Sequence, residues 1–136
     1  MNIEAALEFI HTQHHAVLAT LKADGAPQLS PVTVGVDEEG RVLISTRQAA
    51  YKVRNIRRDP KVWLCALPDG FFGQWAQLEG TATVLGLPAA MEPLVEYYRQ
   101  ISGEHPDWDD YRAAMERDER VLLRITVTKA GPSVSG

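Results

Sequence analysis

Apolar residues recur along this chain at two periods, and the alternation between them marks out its elements. Ile3, Leu7, Phe9 and Ile10 fall near helical spacing, Asn2 stands where it can cap their first turn, and the pattern predicts a helix ending around His14 or His15. A short apolar run from Ala16 to Leu21 follows. Ala23-Asp24-Gly25 then turns the chain into a second extended arm over about Gln28 to Val36. Pro31 cannot donate to a strand ladder, so that arm belongs at an edge, a bulge or a ligand-facing break. Asp37-Glu38-Glu39-Gly40 reverses the chain into a strand from Arg41 to Thr46, which puts three antiparallel strands in succession.

A short helix is predicted from about Ala49 to Arg57, stopping before Asp59-Pro60, with strand resuming at Val62. From Gln74 to Leu85 the sequence alternates: Ala76, Leu78, Ala82 and Val84 share one face, and Trp75, Gln77, Glu79, Thr81 and Thr83 the other. Helical spacing returns with Met91, Leu94, Val95, Tyr98 and Ile101; Pro88 suits the first turn and Gly103 the end. Asp107 can cap a further short helix from Trp108 to Met115. A last strand sets Val121, Leu123, Ile125 and Val127 against Leu122, Arg124, Thr126 and Thr128. Six strands with short helices and no long crossovers predict a mainly β fold, a closed or nearly closed antiparallel barrel.

With 136 residues, 45% hydrophobic and 24% charged, the chain suits one packed core. The expected division is a single domain over residues 1–128 and a flexible tail over 129–136, where glycine, proline and serine lack periodicity. A formal charge of -4 disfavours broad nucleic-acid binding but permits a local basic pocket. The start, Met1-Asn2-Ile3-Glu4, does not read as a signal peptide, and no run reaches membrane-spanning length. The expectation is therefore a cytoplasmic protein with neither a membrane nor a nucleic-acid partner. The only cysteine, Cys65, lies in the apolar run Val62 to Leu67 and reads as a small buried thiol without an evident histidine base.

Candidate chemistry gathers at one place. Lys52, Arg54, Arg57 and Arg58 follow the hydroxyl pair Ser45-Thr46 at a strand end, a set able to hold a phosphate, or else simply one solvated helix face. Asn55, with its two amide functions, suits a brace for the next strand. Phe71, Phe72 and Trp75 offer large faces either to a planar ring or to the core of a dimer interface, and both hold if a cofactor lies between two subunits. The histidines His11, His14, His15 and His105 lack the companions of a zinc set, so no metal is assigned. Asp107, Asp109 and Asp110 read as helix-start carboxylates rather than a hydrolytic pair.

Several stretches together resemble the pyridoxamine 5'-phosphate oxidase-like split barrels. They are Ala16-Val17-Leu18-Ala19-Thr20, Gly25 to Ser30, Lys52 to Pro60 and Leu78-Glu79-Gly80-Thr81-Ala82. The segment from Tyr97 to Met115 is similar to the actinobacterial subgroup of that family that uses the deazaflavin coenzyme F420. The resemblance implies a split β-barrel, a homodimer with shared cofactor sites, and hydride transfer from reduced F420 to a small organic acceptor. An FMN-dependent reductase or oxidase, and a noncatalytic F420 carrier or sensor, are its alternatives. It implies further that Lys52 and Arg54 face the phosphate, that Ser45 and Thr46 lie near the cofactor, and that Ser30-Pro31-Val32-Thr33 runs beside its ring. Asn55, Phe71 and Trp75 complete the expected cofactor-binding set, and no catalytic proton donor is assigned. Tyr51 precedes Lys52 where ordinary members of the family carry arginine, and their C-terminal substrate-binding segment is not evident.

Overall fold

The computed structural model describes residues 1–132, and its order of elements follows the alternation in the sequence. Helix α1 (Ile3–Thr12) opens on Asn2, whose side chain accepts from the Ala5 N–H at 2.8 Å. It stops two to three residues short of the predicted end, because His15 is already committed to strand β1 (His15–Leu21). Then come β2 (Pro27–Thr33), β3 (Gly35–Val36), β4 (Val42–Arg47), α2 (Tyr51–Arg58), β5 (Lys61–Leu67) and β6 (Ala76–Leu85). The helices α3 (Met91–Ser102) and α4 (Trp108–Arg117) precede the last strand, β7 (Arg120–Gly131). Gly103, at φ 81°, closes α3, and Asp107 caps α4 by accepting from the Asp110 N–H.

Among the described residues, seven strands form one antiparallel sheet in the order β2-β1-β5-β6-β7-β4-β3. The two edge strands are consecutive in the chain, with Val34 alone between them. A single residue cannot cross an open sheet, so the sheet has to curl until its edges meet, and that makes the half-closed barrel. The predicted second arm from Gln28 to Val36 is thus two strands of opposite allegiance. β2 pairs with β1, β3 pairs with β4, and β4 passes to β7 instead of extending a three-stranded meander. β2 and β4 come close without sharing a ladder, and this is the split in the barrel.

The inward faces supply the core: Leu18, Ile44, Leu64, Leu78, Leu123 and Ile125 are almost wholly inaccessible, and Ala6 and Ile10 of α1 plug the same interior. Each such Leu or Ile contributes about 1.5–3 kcal/mol of burial. The alternation read for β6 holds, with Ala76, Leu78 and Ala82 inside and Gln77, Thr81 and Thr83 exposed. Leu122, expected on the polar face of β7, is completely buried instead. It forms a second small core with Leu43, Ala90 and Leu94, because α3 and its neighbours cover the outer face of β4 and β7. β7 also continues through Lys129, Ala130 and Gly131, which pair with Glu79, Leu78 and Gln77, so the expected tail begins later than residue 129. Residues 133–136 of that expected tail lie outside the described residues. No helix among the described residues is long and apolar enough to cross a membrane.

Candidate functional site

The split between β2 and β4 also opens into a broad cleft of about 780 Å³. One wall is the end of β2, with Pro31, Val32 and Thr33; the other is the end of β4, with Ser45 and Thr46, and Lys52 enters from the first turn of α2. Six of the expected cofactor-binding residues therefore do converge. The far wall was not foreseen: Tyr97, Tyr98, Tyr111 and Met115 reach in from α3 and α4, and Arg120 from the first position of β7. His15, Val17 and Leu67 border the mouth. Among the described residues, no aspartate or glutamate lines the cleft.

Hydrogen bonds fix this wall. The Tyr97 hydroxyl donates to the Thr33 carbonyl at 2.8 Å, joining α3 to the end of β2. One turn later Gln100 reaches β3, accepting from the Val36 N–H at 2.8 Å and donating to the Val36 carbonyl at 3.0 Å, as an adjoining strand would. The Tyr111 hydroxyl donates to the Leu94 carbonyl at 2.9 Å and so ties α4 to α3. Burial raises the pKa of both phenols, that of Tyr111 to about 12, so both stay neutral donors. Around them Tyr98, His105, Trp108 and Tyr111 pack at ring separations of 5.1–5.8 Å, and the Arg99 guanidinium stands 5.0 Å over the Trp108 ring.

The cationic end is more exposed to charge than to carboxylates. The Lys52 ammonium is held below the ordinary lysine range, first by burial and then by the positive charge of Arg120. The Arg120 Nε is inaccessible to solvent and has no hydrogen-bond partner among the described residues. Two cations that share a space with no carboxylate among the described residues have the charge to hold an anion.

Five expected residues lie elsewhere in the chain. Arg54 is two positions beyond Lys52 on a helix, roughly 200° around its axis, so it faces a separate groove with Arg47 and Arg57 and stacks 5.6 Å from the Tyr51 ring. Asn55 is buried and braces the fold: it donates to the Thr20 hydroxyl at 3.0 Å and to Gln28 at 2.8 Å, and accepts from Arg58 at 2.8 Å. Ser30 lies opposite Leu18 on the other side of β2 from Pro31 and does not line the cleft. Phe71 is exposed and packs edge-to-face on Phe72, while Trp75 borders a hollow with Gln77, Glu79 and Lys129 on the outer face of β6. Within one chain, neither aromatic lines the cleft, and the loop that carries Phe71 and Phe72 is exposed.

Comparison with known proteins gives this geometry a context. The family model described as pyridoxamine 5'-phosphate oxidase matches residues 3–132. The chain belongs to the pyridoxamine 5'-phosphate oxidase family. Solved structures with the same fold include a conserved hypothetical protein from Mycobacterium tuberculosis, at 23% identity and a TM-score of 0.78, over 100% of this chain and 93% of that one. Another is an F420 reductase, at 18% identity and a TM-score of 0.70, over 91% of this chain and 94% of that one. A third, a candidate pyridoxamine 5'-phosphate oxidase from Lactobacillus delbrueckii, is 18% identical with a TM-score of 0.66, over 95% of this chain and 92% of that one. This fold, then, is shared at low identity by proteins of different description.

Proposed function

We propose that the protein is an oxidoreductase that binds the deazaflavin F420 and, from its reduced form, passes hydride to a small organic acceptor. The observation that carries this reading is the carboxylate-free cleft, which sets two cations and several hydroxyls against a wall of three tyrosines. The residues fit the group: Lys52 and Arg120 suit an anionic side chain, Ser45, Thr46 and Thr33 suit its polar linker, and the tyrosine wall suits a planar ring. The choice of F420 over FMN is supported by the segment from Tyr97 to Met115. That stretch carries the likeness to the F420-using subgroup, and it is also the stretch that builds the cleft wall. An F420 reductase among the proteins of like fold agrees with this.

When bound, the deazaflavin supplies the hydride chemistry. The chain's own part is to hold the anionic end, to orient the ring against Pro31, Val32 and Thr33, and to keep water out behind Tyr98 and Met115. The working unit in this reading is a homodimer. The outer faces of β2, β1 and β5 present Leu29, Pro31, Val17, Ala19, Trp63 and Cys65 side by side, an apolar surface that runs into the cleft mouth. A second copy seated there closes the mouth and brings aromatic residues of the Phe71 to Trp75 loop within reach of it.

Competition titration of F420 and FMN, followed by anaerobic stopped-flow oxidation of the reduced cofactor across candidate acceptors, tests the proposal. Preferential F420 binding with acceptor-dependent oxidation is expected. Tighter FMN binding with productive flavin turnover overturns it in favour of the flavin enzyme, and binding without turnover favours a carrier.

A further inference from the structure

His15 opens strand β1 at the mouth of the cleft, with Thr33 of β2 as its cross-strand partner on one side and Leu67 of β5 on the other. Two residues past Leu67 the chain sets Asp69 beside the imidazole, its Oδ1 3.5 Å from Nδ1. Asp69 does not line the cleft, and its N–H donates to the Gln13 side chain at 2.9 Å, which ties the loop to the approach of β1. A histidine whose Nδ1 faces a carboxylate has its other nitrogen, Nε2, left for the cleft it borders. Of the titratable groups that share the cleft, the Tyr97 and Tyr111 hydroxyls donate to the carbonyls of Thr33 and Leu94. Tyr98 packs against His105, Trp108 and Tyr111, and Lys52 and Arg120 enter from α2 and β7. The neighbouring His14 is engaged elsewhere, its Nδ1 3.0 Å from the Val34 carbonyl. Among the described residues, His15 is thus the cleft group placed to exchange a proton near neutrality.

We infer that His15, oriented by Asp69, is the acid that protonates the acceptor as it is reduced. The inference rests on the hydride transfer proposed above and supplies the proton that such a transfer requires. In that reading the ring lies against Pro31, Val32 and Thr33, and cross-strand partners such as Thr33 and His15 carry their side chains next to each other on one face. An acceptor stacked on the ring is then within reach of Nε2. When hydride adds to an unsaturated carbonyl compound, a C–H bond forms and the π pair moves onto oxygen. The acceptor is reduced by two electrons, drawn from the reduced cofactor, which is thereby oxidised, and it is left with a negative charge on that oxygen. The Nε2–H bond of His15 breaks, its proton forms the O–H bond, and its electron pair stays on the imidazole. Both side chains of the pair are exposed, so the ring recovers its proton from water at the mouth. Asp69 is a positioning residue: it keeps Nδ1 as the nitrogen that faces away from the acceptor.

The test compares the full chain with His15→Gln and Asp69→Asn, which alter an exposed pair of the kind that adds little to stability. Long-range 1H–15N correlation of the imidazoles in the cofactor-free protein is expected to show neutral His15 with its hydrogen on Nδ1, and Asp69→Asn is expected to remove that preference. A wild-type His15 with its hydrogen on Nε2 overturns the proposal. Both variants are expected to bind F420, by fluorescence titration, within about twofold of wild type. Oxidation of the bound, reduced F420 by cyclohex-2-enone in single turnovers is expected to slow by about 100-fold or more in His15→Gln and by about tenfold in Asp69→Asn. The wild-type rate is expected to fall as rising pH takes the proton from the imidazole, the His15→Gln rate to lack that limb, and added free imidazole to restore part of it. Equal rates in wild type and His15→Gln overturn the acid and leave the F420 reading standing. FMN bound in place of F420, with an oxidation that depends on His15, upholds the acid and sinks the deazaflavin. A reduced cofactor that the enone does not oxidise in the wild-type protein overturns the proposal.

Discussion

Lys52 lies in the first half of the chain and Arg120 near the end of the second, and they are brought together by the pairing of β4 with β7. Lys52 loses its charge at a lower pH than an exposed lysine does, because its ammonium is partly buried and faces a second cation. Anion affinity is therefore full below that lowered value and falls as pH rises through it. Lys52→Arg, which stays charged, is expected to keep about tenfold more affinity for inorganic phosphate at the alkaline end of a titration by 31P NMR. A parallel decline in wild type and variant would show that some other group sets the profile. Lys52, Ser45 and Thr46 were legible because a hydroxyl pair at a strand end followed by a basic helix is a local pattern. Arg120, Tyr97 and Tyr111 were not, since they become neighbours only after α3 and α4 fold over β7. The pairing of Lys52 with Arg54 failed on helical geometry alone, two positions being opposite sides of a helix.

Among the elements, β6 and β7 form the longest ladder, and its one irregularity lies between Glu79 and Gly80. A β-carbon on Gly80 would stand 2.2 Å from the Thr126 carbonyl oxygen and 3.0 Å from an Ile125 methyl group. The bulge thus depends on the absence of a side chain there. Gly80→Ala is expected to cost about 2–3 kcal/mol in a denaturant titration, and a variant of wild-type stability would mean that the strands part more easily than their close approach implies. The alternation along β6 and β7 was readable in advance, as were the caps Asn2, Gly103 and Asp107, because each is set by its own few residues. The break at Val34 was not, because Gln28 to Val36 carries no turn residue between its halves. Tertiary partners decide it: Val34 exchanges two bonds with His14, its N–H donating to the His14 carbonyl at 2.7 Å and its own carbonyl 3.0 Å from His14 Nδ1. Gln100 meanwhile holds β3 from the other side.

At the scale of the whole molecule, one feature the single chain leaves unsatisfied is the apolar surface over β2, β1 and β5, where Leu29 is 66% exposed. Leu29→Glu is expected to shift sedimentation equilibrium from dimer toward monomer by about tenfold or more in the dissociation constant, without lowering the stability of the monomer. A wild-type protein that sediments as a monomer would remove the dimer from the proposed function. Cys65 lies half-buried on the same surface, and burial pushes its thiol up, so it behaves as a packing group. Finally, the joint at Val34 has a mechanical meaning. The cleft is the gap between β2 and β4, and at its closed end β2 is joined through Val34 alone to β3, the strand paired with β4. Jaws so joined gape only by bending at their pivot, and His14, Tyr97 and Gln100 all grip the backbone within two residues of it. The width of the opening is therefore a property of the pivot rather than of the jaws, and a ligand that needs a wider one has to loosen those three grips first.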